Sequence, residues 1–341
     1  MTNPIEVLIT LTLPDTVVEQ IRQVSPRLHV SYHPAKKAED IPDDVLKKAE
    51  IIYVERMLPL PEQVPNLKWI HFMFAGIDFA VNAPLLQKPG LLITHASGAM
   101  SPQVAEHAVA MMLALGHHMP KMAALQQRAE WPPIAIRWEK LAPREVRGST
   151  VGLVGYGSIG REIARLLQPF GCTILAAKRD VMHPRDTGFT FPGQGDPEGD
   201  LFTRLYPMEA VGSMMKECDF VIISLPLSPA TRGIIGAAEL AMMKPTAYLI
   251  DVGRGGVLDT AAILHVLQEK KIAGAALDVF AEEPLPVTSP FWQLPNLMIT
   301  PHTAGVSLQF HERAGVVFAE NLKRYVAGDP LINQYDPALG Y

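Results

Sequence analysis

The sequence predicts an α/β protein of two domains, each built on a parallel sheet with helices on both faces. Short apolar strands and helical segments alternate almost from the start of the chain, which is the pattern of parallel sheets. At residues 151–167 a strand runs through a glycine turn into a helix, as in doubly wound sheets. The chain has 341 residues, 48% of them hydrophobic, and is long enough for two cores.

The first hundred residues contain five apolar runs that predict short buried strands, with helices such as residues 14–24 between them. We expect these strands at residues 5–11, 28–31, 51–54, 67–72 and 91–94. A long helix follows at residues 101–115, with Ser101 as its N-cap and Pro102 at its first helical position. Two segments predict irregular connections: residues 131–147, which are rich in proline and charge, and residues 181–207, which are rich in proline and glycine.

Three glycines after the strand at residue 151 predict a dinucleotide site. Gly155 permits the tight turn, Gly157 lets the backbone approach a pyrophosphate, and Gly160 lets the following helix pack close to the strand. The pyrophosphate would lie on the helix N-terminus. An ordinary strand-to-helix turn is the alternative, and the apolar strand and helical flanks favour the dinucleotide. The whole turn is predicted to bind the cofactor: Gly155, Tyr156, Gly157, Ser158, Ile159 and Gly160.

Arg254, Glu283 and His302 are the candidate catalytic residues. A fixed cation can hold a substrate carboxylate through two parallel hydrogen bonds. An imidazole can give a proton to a carbonyl oxygen, and a carboxylate can hold that imidazole charged. Reduction of a 2-oxo acid by hydride transfer needs these three groups. They stand in segments that read Asp251-Val-Gly-Arg254-Gly-Gly, Glu283-Pro-Leu-Pro and Thr300-Pro-His302.

These segments, in this order, resemble the D-isomer-specific 2-hydroxyacid dehydrogenase family. The resemblance extends over residues 144–305 and includes the glycine turn, Ser224-Leu-Pro-Leu-Ser-Pro-Ala-Thr231 and Ala276-Leu-Asp278-Val-Phe. It implies a Rossmann-type cofactor domain at residues 101–306. It also implies a smaller flavodoxin-like substrate domain at residues 1–100 and 307–341, with the active site in the cleft between the two. The family usually has asparagine where this chain has Asp251.

The resemblance also implies roles for further residues. Asp278 would hold the nicotinamide carboxamide. The substrate carboxylate would meet backbone N–H groups at Ala75 and Gly76. Independently of the resemblance, Met57 is predicted to line the substrate pocket from its position after the strand at residues 51–54. The other residues implied to contact the cofactor are Leu225, Pro226, Thr231, Val252, Gly253 and Gly305.

The cofactor is predicted to be NADP, with NADPH preferred and NAD possible. NAD sites place an acidic residue at the end of the second strand, about 20 residues after the glycine turn, to accept from the ribose 2′-hydroxyl. Here that strand ends in Lys178-Arg179, two cations that suit a 2′-phosphate. NAD remains the alternative cofactor, because Asp180 follows two residues later. If the strand end were shifted by two residues, its carboxylate would take the acceptor position.

Composition argues against several other classes of protein. With a net charge of −5, the chain is not expected to bind nucleic acid or an anionic membrane surface. The N-terminus lacks a basic region followed by a long apolar run, which predicts a cytoplasmic protein. Eleven histidines without a ligand-like cluster predict no metal site, and two unpaired cysteines predict buried, unreactive thiols. The Ala- and Met-rich helix after Ser101 predicts a homodimer interface.

The sequence therefore predicts an oxidoreductase that reduces a 2-oxo acid to a D-2-hydroxy acid, and reverses this, with His302 as the acid/base. The alternative is a corepressor-like scaffold that senses a dinucleotide without turnover. Apolar residues near positions 57 and 72–74 favour a bulky substrate substituent over glyoxylate.

Overall fold

The computed structural model describes residues 4–337. Helices and strands alternate along this part of the chain, which confirms the predicted α/β class. The elements are β1 (Ile5–Ile9), α1 (Asp15–Arg22), β2 (Leu28–Tyr32), α2 (Asp43–Lys48), β3 (Ile51–Val54), β4 (Trp69–Phe72), β5 (Leu92–His95), α3 (Ser101–Gly116), α4 (Met119–Gln127), α5 (Ile134–Lys140), β6 (Thr150–Val154), α6 (Ser158–Leu167), β7 (Thr173–Ala177), β8 (Arg204–Tyr206), α7 (Val211–Met215), β9 (Phe220–Ile223), α8 (Ala237–Ala241), β10 (Tyr248–Asp251), α9 (Thr260–Gln268), β11 (Gly274–Leu277), β12 (Leu297–Ile299) and α10 (Phe310–Ala327).

The chain divides into two compact units. The first comprises the residues up to Met100, Thr187–Phe189 and the residues from Ser307 onward. The second comprises Ser101–Asp186 and Thr190–Val306. The short segment Thr187–Phe189 was not expected in the first unit. It is held there by Phe189, whose N–H donates to Asn333 Oδ1 at 3.1 Å.

The first unit is a five-stranded parallel sheet with the strand order β2-β1-β3-β4-β5. This is the flavodoxin-like order. Of the three inner strands, β3 and β4 are buried along their whole length, because α1 and α10 cover one face and the segments around α2 cover the other. Aromatic stacking fixes α10 on the sheet, with the rings of Tyr53 and Phe318 4.3 Å apart.

The second unit is a seven-stranded parallel sheet with the order β12-β11-β10-β9-β6-β7-β8. Its first strand in the chain, β6, pairs with β7 on one side and with β9 on the other. The strand order therefore reverses between β6 and β9. In open parallel sheets ligands bind at the carboxyl ends of the strands beside such a switch point. In this unit those ends are Val154 and Ile223.

Several local predictions need correction. Residues 131–147 contain the helix α5, and residues 181–207 contain the strand β8. Both were missed because their apolar residues are few or face solvent, so they leave no periodic pattern. Ser101 is the first residue of α3 and not a flanking cap. Cys172 is only half-buried, whereas Cys218 is buried as expected.

Helix α3 uses its apolar residues within its own unit. Its buried residues include Met111 and Met112, and the helix packs on α6, β10 and β11. The surface expected to form a dimer interface is therefore largely occupied by the fold. By contrast, α4 and α5 bury none of their residues. Within residues 4–337, no helix is long and apolar enough to cross a membrane.

Candidate active site

The glycine turn after β6 is shaped to receive a phosphate group. Gly155 has a φ of +101°, and a Cβ at Gly160 would lie 2.2 Å from the Gly155 carbonyl oxygen, so both positions require glycine. A Cβ at Gly157 would meet no atom within 4 Å. That open space lies at the N-terminus of α6, where backbone N–H groups of the first turn have no partner in the helix. A dinucleotide pyrophosphate fits here.

Two of the predicted cofactor glycines, Gly155 and Gly253, lie against Leu225. A Cβ at Gly155 would lie 3.1 Å from the Leu225 side chain, and one at Gly253 would lie 2.8 Å from the Leu225 carbonyl oxygen. The segment after β9 is held by Thr231, whose hydroxyl donates to the Pro226 carbonyl at 2.6 Å. Val252 is buried directly after β10, and the Gly305 carbonyl accepts from the Gln103 amide at 3.0 Å.

His302 and Glu283 form a direct pair. The His302 Nδ1 lies 2.6 Å from Glu283 Oε2, and the other carboxylate oxygen accepts the Phe280 N–H at 2.9 Å. Glu283 is therefore fixed by the backbone while it orients the imidazole. His302 itself has a φ of +53°, and its N–H donates to the Asp278 carbonyl at 2.9 Å. Because Nδ1 is engaged, Nε2 is the ring nitrogen left to serve a substrate.

Backbone packing brings the turn that carries Arg254 against the loop that carries Glu283. A Cβ at Gly255 would lie 1.8 Å from the Phe280 carbonyl oxygen, so the turn after β10 packs directly on the loop that carries Glu283. Only glycine permits this approach. The Arg254 side chain is half-buried, and its Nη1 donates to the Gly253 carbonyl at 2.9 Å. The structure thus brings together the three predicted catalytic residues in one unit.

Asp278 holds the loop that carries the histidine. One carboxylate oxygen accepts from the Thr300 hydroxyl at 2.6 Å and from the Thr303 N–H at 2.9 Å, and the other accepts from the Ala304 N–H at 3.0 Å. The side chain is almost fully buried. His107 on α3, which the sequence did not suggest as a site residue, lies 3.2 Å from the Thr300 hydroxyl. Asp278 thus positions His302 in addition to its predicted contact with the nicotinamide.

Asp251, where the family usually has asparagine, is 1% exposed at the end of β10. Burial raises the pKa of its carboxyl from 3.8 to about 7, and the nearby Asp278 carboxylate acts in the same direction. The Gly253 N–H, which donates to Oδ1 at 2.9 Å, and the Arg254 cation oppose this rise in pKa. The protein therefore carries a titrating carboxyl directly beneath the Arg254 turn.

Asp251→Asn is expected to stabilise the fold at alkaline pH. In the unfolded chain the Asp251 carboxyl loses its proton near its ordinary pKa of 3.8. In the folded protein the raised pKa means that the carboxyl keeps this proton until about pH 7. Stability is therefore lost as pH rises between these values, by about 4 kcal/mol at most. The variant should match the parent near pH 4 and exceed it above pH 7 in denaturant unfolding. Asp259→Asn serves as the control, because Asp259 is an exposed aspartate at the N-cap of α9. An Asp251→Asn effect that is equal at both pH values would contradict the assignment.

A polar network around the glycine turn was not predicted. Arg161 is 1% exposed, and it donates to the carbonyl oxygens of Asp196 at 2.6 Å and Pro184 at 2.5 Å. The Tyr156 hydroxyl donates to the Asp196 carboxylate at 2.6 Å. These bonds fasten the segment between β7 and β8 to the turn. The unusual length of that segment was the only signal in the sequence.

Lys178 and Arg179 lie at the end of β7, where the sequence placed them. Lys178 is half-buried and donates to the His183 carbonyl at 2.5 Å, and Arg179 is exposed. Burial, followed by the nearby Arg161 cation, lowers the pKa of Lys178. Clustered cations of this kind make a favourable site for an anion.

The predicted substrate residues of the first unit lie after β3 and β4. Ala75 and Gly76 are half-buried in the segment after β4. Met57 is 7% exposed and packs in the core of its unit, as do Phe72 and Met73. Because these side chains belong to the core, the apolar content of this region no longer favours a bulky substrate. In the described part of the chain, no group of three or more His, Cys, Asp or Glu residues could hold a metal ion.

Comparison with known proteins agrees with this geometry. Residues 109–304 match the model of the D-isomer specific 2-hydroxyacid dehydrogenase, NAD binding domain. A glyoxylate reductase of Pyrococcus furiosus is 32% identical over 270 residues, which cover 79% of this chain and 75% of the relative. A glyoxylate reductase of Aeropyrum pernix is 31% identical over 271 residues, which cover 79% and 76%.

Two solved structures resemble the whole chain. A D-isomer specific 2-hydroxyacid dehydrogenase from Xanthobacter autotrophicus, in complex with NADPH and MES, has a TM-score of 0.80 at 27% identity and covers 100% of both chains. An NADPH-dependent glyoxylate/hydroxypyruvate reductase from Sinorhizobium meliloti, in complex with NADP and sulfate, has a TM-score of 0.75 at 25% identity and covers 99% of this chain and 100% of its own.

Proposed function

The chain belongs to the D-isomer specific 2-hydroxyacid dehydrogenase family, and we propose that it reduces a small 2-oxo acid to the D-2-hydroxy acid with NADPH. It is an NAD(P)-dependent oxidoreductase. The observation that carries the proposal is the Glu283–His302 pair, 2.6 Å apart, beside the Arg254 turn. These groups lie in the same unit as a glycine turn that accommodates a dinucleotide.

Each of the three residues has a separate task in the reduction. The Arg254 guanidinium holds the substrate carboxylate and thereby orients the adjacent carbonyl. His302 donates the proton on Nε2 to the carbonyl oxygen, which becomes the hydroxyl, and Glu283 stabilises the imidazolium before this transfer. The hydride for this reduction would come from a reduced nicotinamide held by the residues of the glycine turn. In the reverse direction neutral His302 accepts the hydroxyl proton.

The turn residues 155–160 would hold the pyrophosphate on the N-terminus of α6. Asp278 would lie toward the nicotinamide. The rest of the dinucleotide would be lined by Leu225, Pro226, Thr231, Val252, Gly253 and Gly305. Ala75 and Gly76 would offer backbone N–H groups to the substrate carboxylate. A corepressor-like scaffold would not need a histidine and glutamate engaged in this way.

Initial rates with a panel of 2-oxo acids, each with NADH and NADPH, test the proposed function. Glyoxylate heads the panel because relatives are named for its reduction, and branched and aromatic 2-oxo acids follow. The proposal expects turnover of at least one free acid. Tight binding of the cofactor with no turnover across the panel would favour the scaffold.

A preference for NADPH is expected from Lys178 and Arg179. A charge-assisted hydrogen bond contributes about 1.5 to 3 kcal/mol, and less at a screened and partly exposed site. One or two such bonds imply a kcat/KM for NADPH about 10- to 10³-fold above that for NADH. The double variant Lys178→Ala/Arg179→Ala should lose most of this preference while it keeps its activity with NADH. A parent ratio near one, or a ratio unchanged in the variant, would rule out this reading.

A homodimer is expected, with its interface on α4 and α5. Trp131 and Trp138 are 85% and 75% exposed, and Ile134 between them is also exposed. Exposed tryptophans on α5 and shortly before it mark an interaction surface. Light scattering at micromolar concentration should give twice the mass of the chain, and Trp138→Asp should shift it toward the monomer. Leu308 is an exposed apolar residue of the first unit, and Leu308→Ser should leave the mass unchanged. A monomer mass for the parent would contradict the dimer.

A further inference from the structure

The segment between β7 and β8 is fixed relative to the cofactor turn. Arg161, in the first turns of α6, holds Pro184 and Asp196 through their carbonyl oxygens, and Tyr156 of the glycine turn holds the Asp196 carboxylate. The N–H groups of Gly199 and Leu201 also donate to Asp196. Because the clamp at Pro184 lies one residue from His183, the position of His183 is set from the turn that receives the pyrophosphate.

His183 engages the carboxylate that follows the two cations. Its Nδ1 lies 2.7 Å from Asp180 Oδ2, and the Met182 N–H donates to Asp180 Oδ1 at 3.1 Å. Both oxygens of Asp180 thus have a local partner. The His183 carbonyl in turn accepts from Lys178 Nζ. One residue therefore contacts both the cation and the carboxylate at the end of β7.

We propose that His183 is a specificity-determining residue, which keeps Asp180 away from the cofactor ribose and so selects NADPH over NADH. This inference rests on the proposed dinucleotide function of the glycine turn. NADH binding requires a carboxylate that accepts from the ribose 2′-hydroxyl, and Asp180 lies three residues past the end of β7. His183 and the Met182 N–H, one on each carboxylate oxygen, hold the Asp180 side chain toward its own segment, and we infer that this orientation keeps it from the 2′-hydroxyl.

Charge acts in the same direction as hydrogen bonding. An unpaired carboxylate beside Lys178 and Arg179 would repel the 2′-phosphate of NADPH and neutralise part of the cationic site. The His183 ring, which lies 2.7 Å from the Asp180 carboxylate, reduces that repulsion through its N–H dipole. Loss of His183 should therefore weaken the binding of NADPH and strengthen that of NADH.

His183→Ala tests the proposal through the ratio of the two cofactors. We expect the NADH to NADPH ratio of kcat/KM to rise by about 2- to 5-fold, mainly through the two cofactor KM values, because the pair that is lost is exposed to solvent. Dissociation constants from quenching of tryptophan fluorescence should change in the same sense. In His183→Ala/Asp180→Asn the gain in NADH binding should disappear, since the freed acceptor is no longer charged.

His29→Ala is the matched control. His29 is another exposed histidine paired with a carboxylate, 3.3 Å from Glu6 in the first unit, and its loss should leave the cofactor ratio unchanged. A parent enzyme that prefers NADH would contradict the NADPH assignment itself. A parent that prefers NADPH, with an unchanged ratio in His183→Ala, would overturn only the role of His183. So would an NADH gain that persists without the Asp180 charge.

Discussion

Replacing His302 by Ala is expected to lower the rate of 2-oxo acid reduction by about 10²- to 10⁴-fold, the usual contribution of a positioned general acid. In the structure Glu283 engages Nδ1 at 2.6 Å, so the lost group is the proton on Nε2. The effect should fall on kcat, with the dissociation constant for NADPH nearly unchanged, because the role proposed for His302 is at the reacting carbonyl. Single-turnover rates with saturating cofactor measure this directly.

Glu283→Gln separates the two members of the pair. The amide can still accept from the Phe280 N–H, which preserves the loop. It cannot stabilise an imidazolium by charge, so the rate of 2-oxo acid reduction should fall while the dissociation constant for NADPH stays near the parental value. A reduction rate equal to the parent's would remove Glu283 from the mechanism. Near-parental activity in His302→Ala would remove the histidine.

Arg254→Lys should raise KM and lower kcat together, with a combined loss in kcat/KM of about 10²-fold or more. Lysine keeps the charge but lacks the planar fork that makes two parallel bonds to a carboxylate. Both binding and orientation of the substrate therefore suffer. The turn itself should tolerate the change, since it is set by Gly255 against the Phe280 carbonyl.

Arg232→Lys is a suitable control, because its guanidinium lies beside the same turn, 3.4 Å from the Cβ position of Gly256. It should retain the parental kinetics toward the 2-oxo acid. Methyl esters of the substrate provide a second check, since they lack the charged carboxylate. Reduction of the esters at the rate of the free acids would exclude carboxylate recognition by Arg254.

The parts of the fold that the sequence predicted are those encoded locally. The glycine turn is one example, since the strand, the three glycines and the helix are consecutive in the chain. The bounds predicted for β3 were correct because its four residues form an uninterrupted apolar run. The β8 strand has only three residues, and α5 faces solvent, so neither left a pattern.

Interactions between distant residues could not be read from the sequence. The bond from Arg161 to Asp196 joins residues 35 apart, and Arg161 resembles an ordinary helical surface residue until the intervening segment folds over it.

Asp251 is another case. Its substitution for asparagine was visible, but its raised pKa depends on burial and on Asp278, which follows a different strand. Met57 was placed in the substrate pocket from its position after β3, and its side chain packs in the core.

The configuration of the product shows whether the protein is a D-specific reductase of 2-oxo acids. The enzyme would be given a 2-oxo acid with a prochiral carbonyl, such as a branched member of the panel, and one equivalent of NADPH, and the hydroxy acid would be resolved by chiral chromatography. We expect the D-2-hydroxy acid alone, formed in equal amount to the NADPH oxidised. An L-2-hydroxy acid, a racemate, or no hydroxy acid from any 2-oxo acid that binds would contradict that expectation.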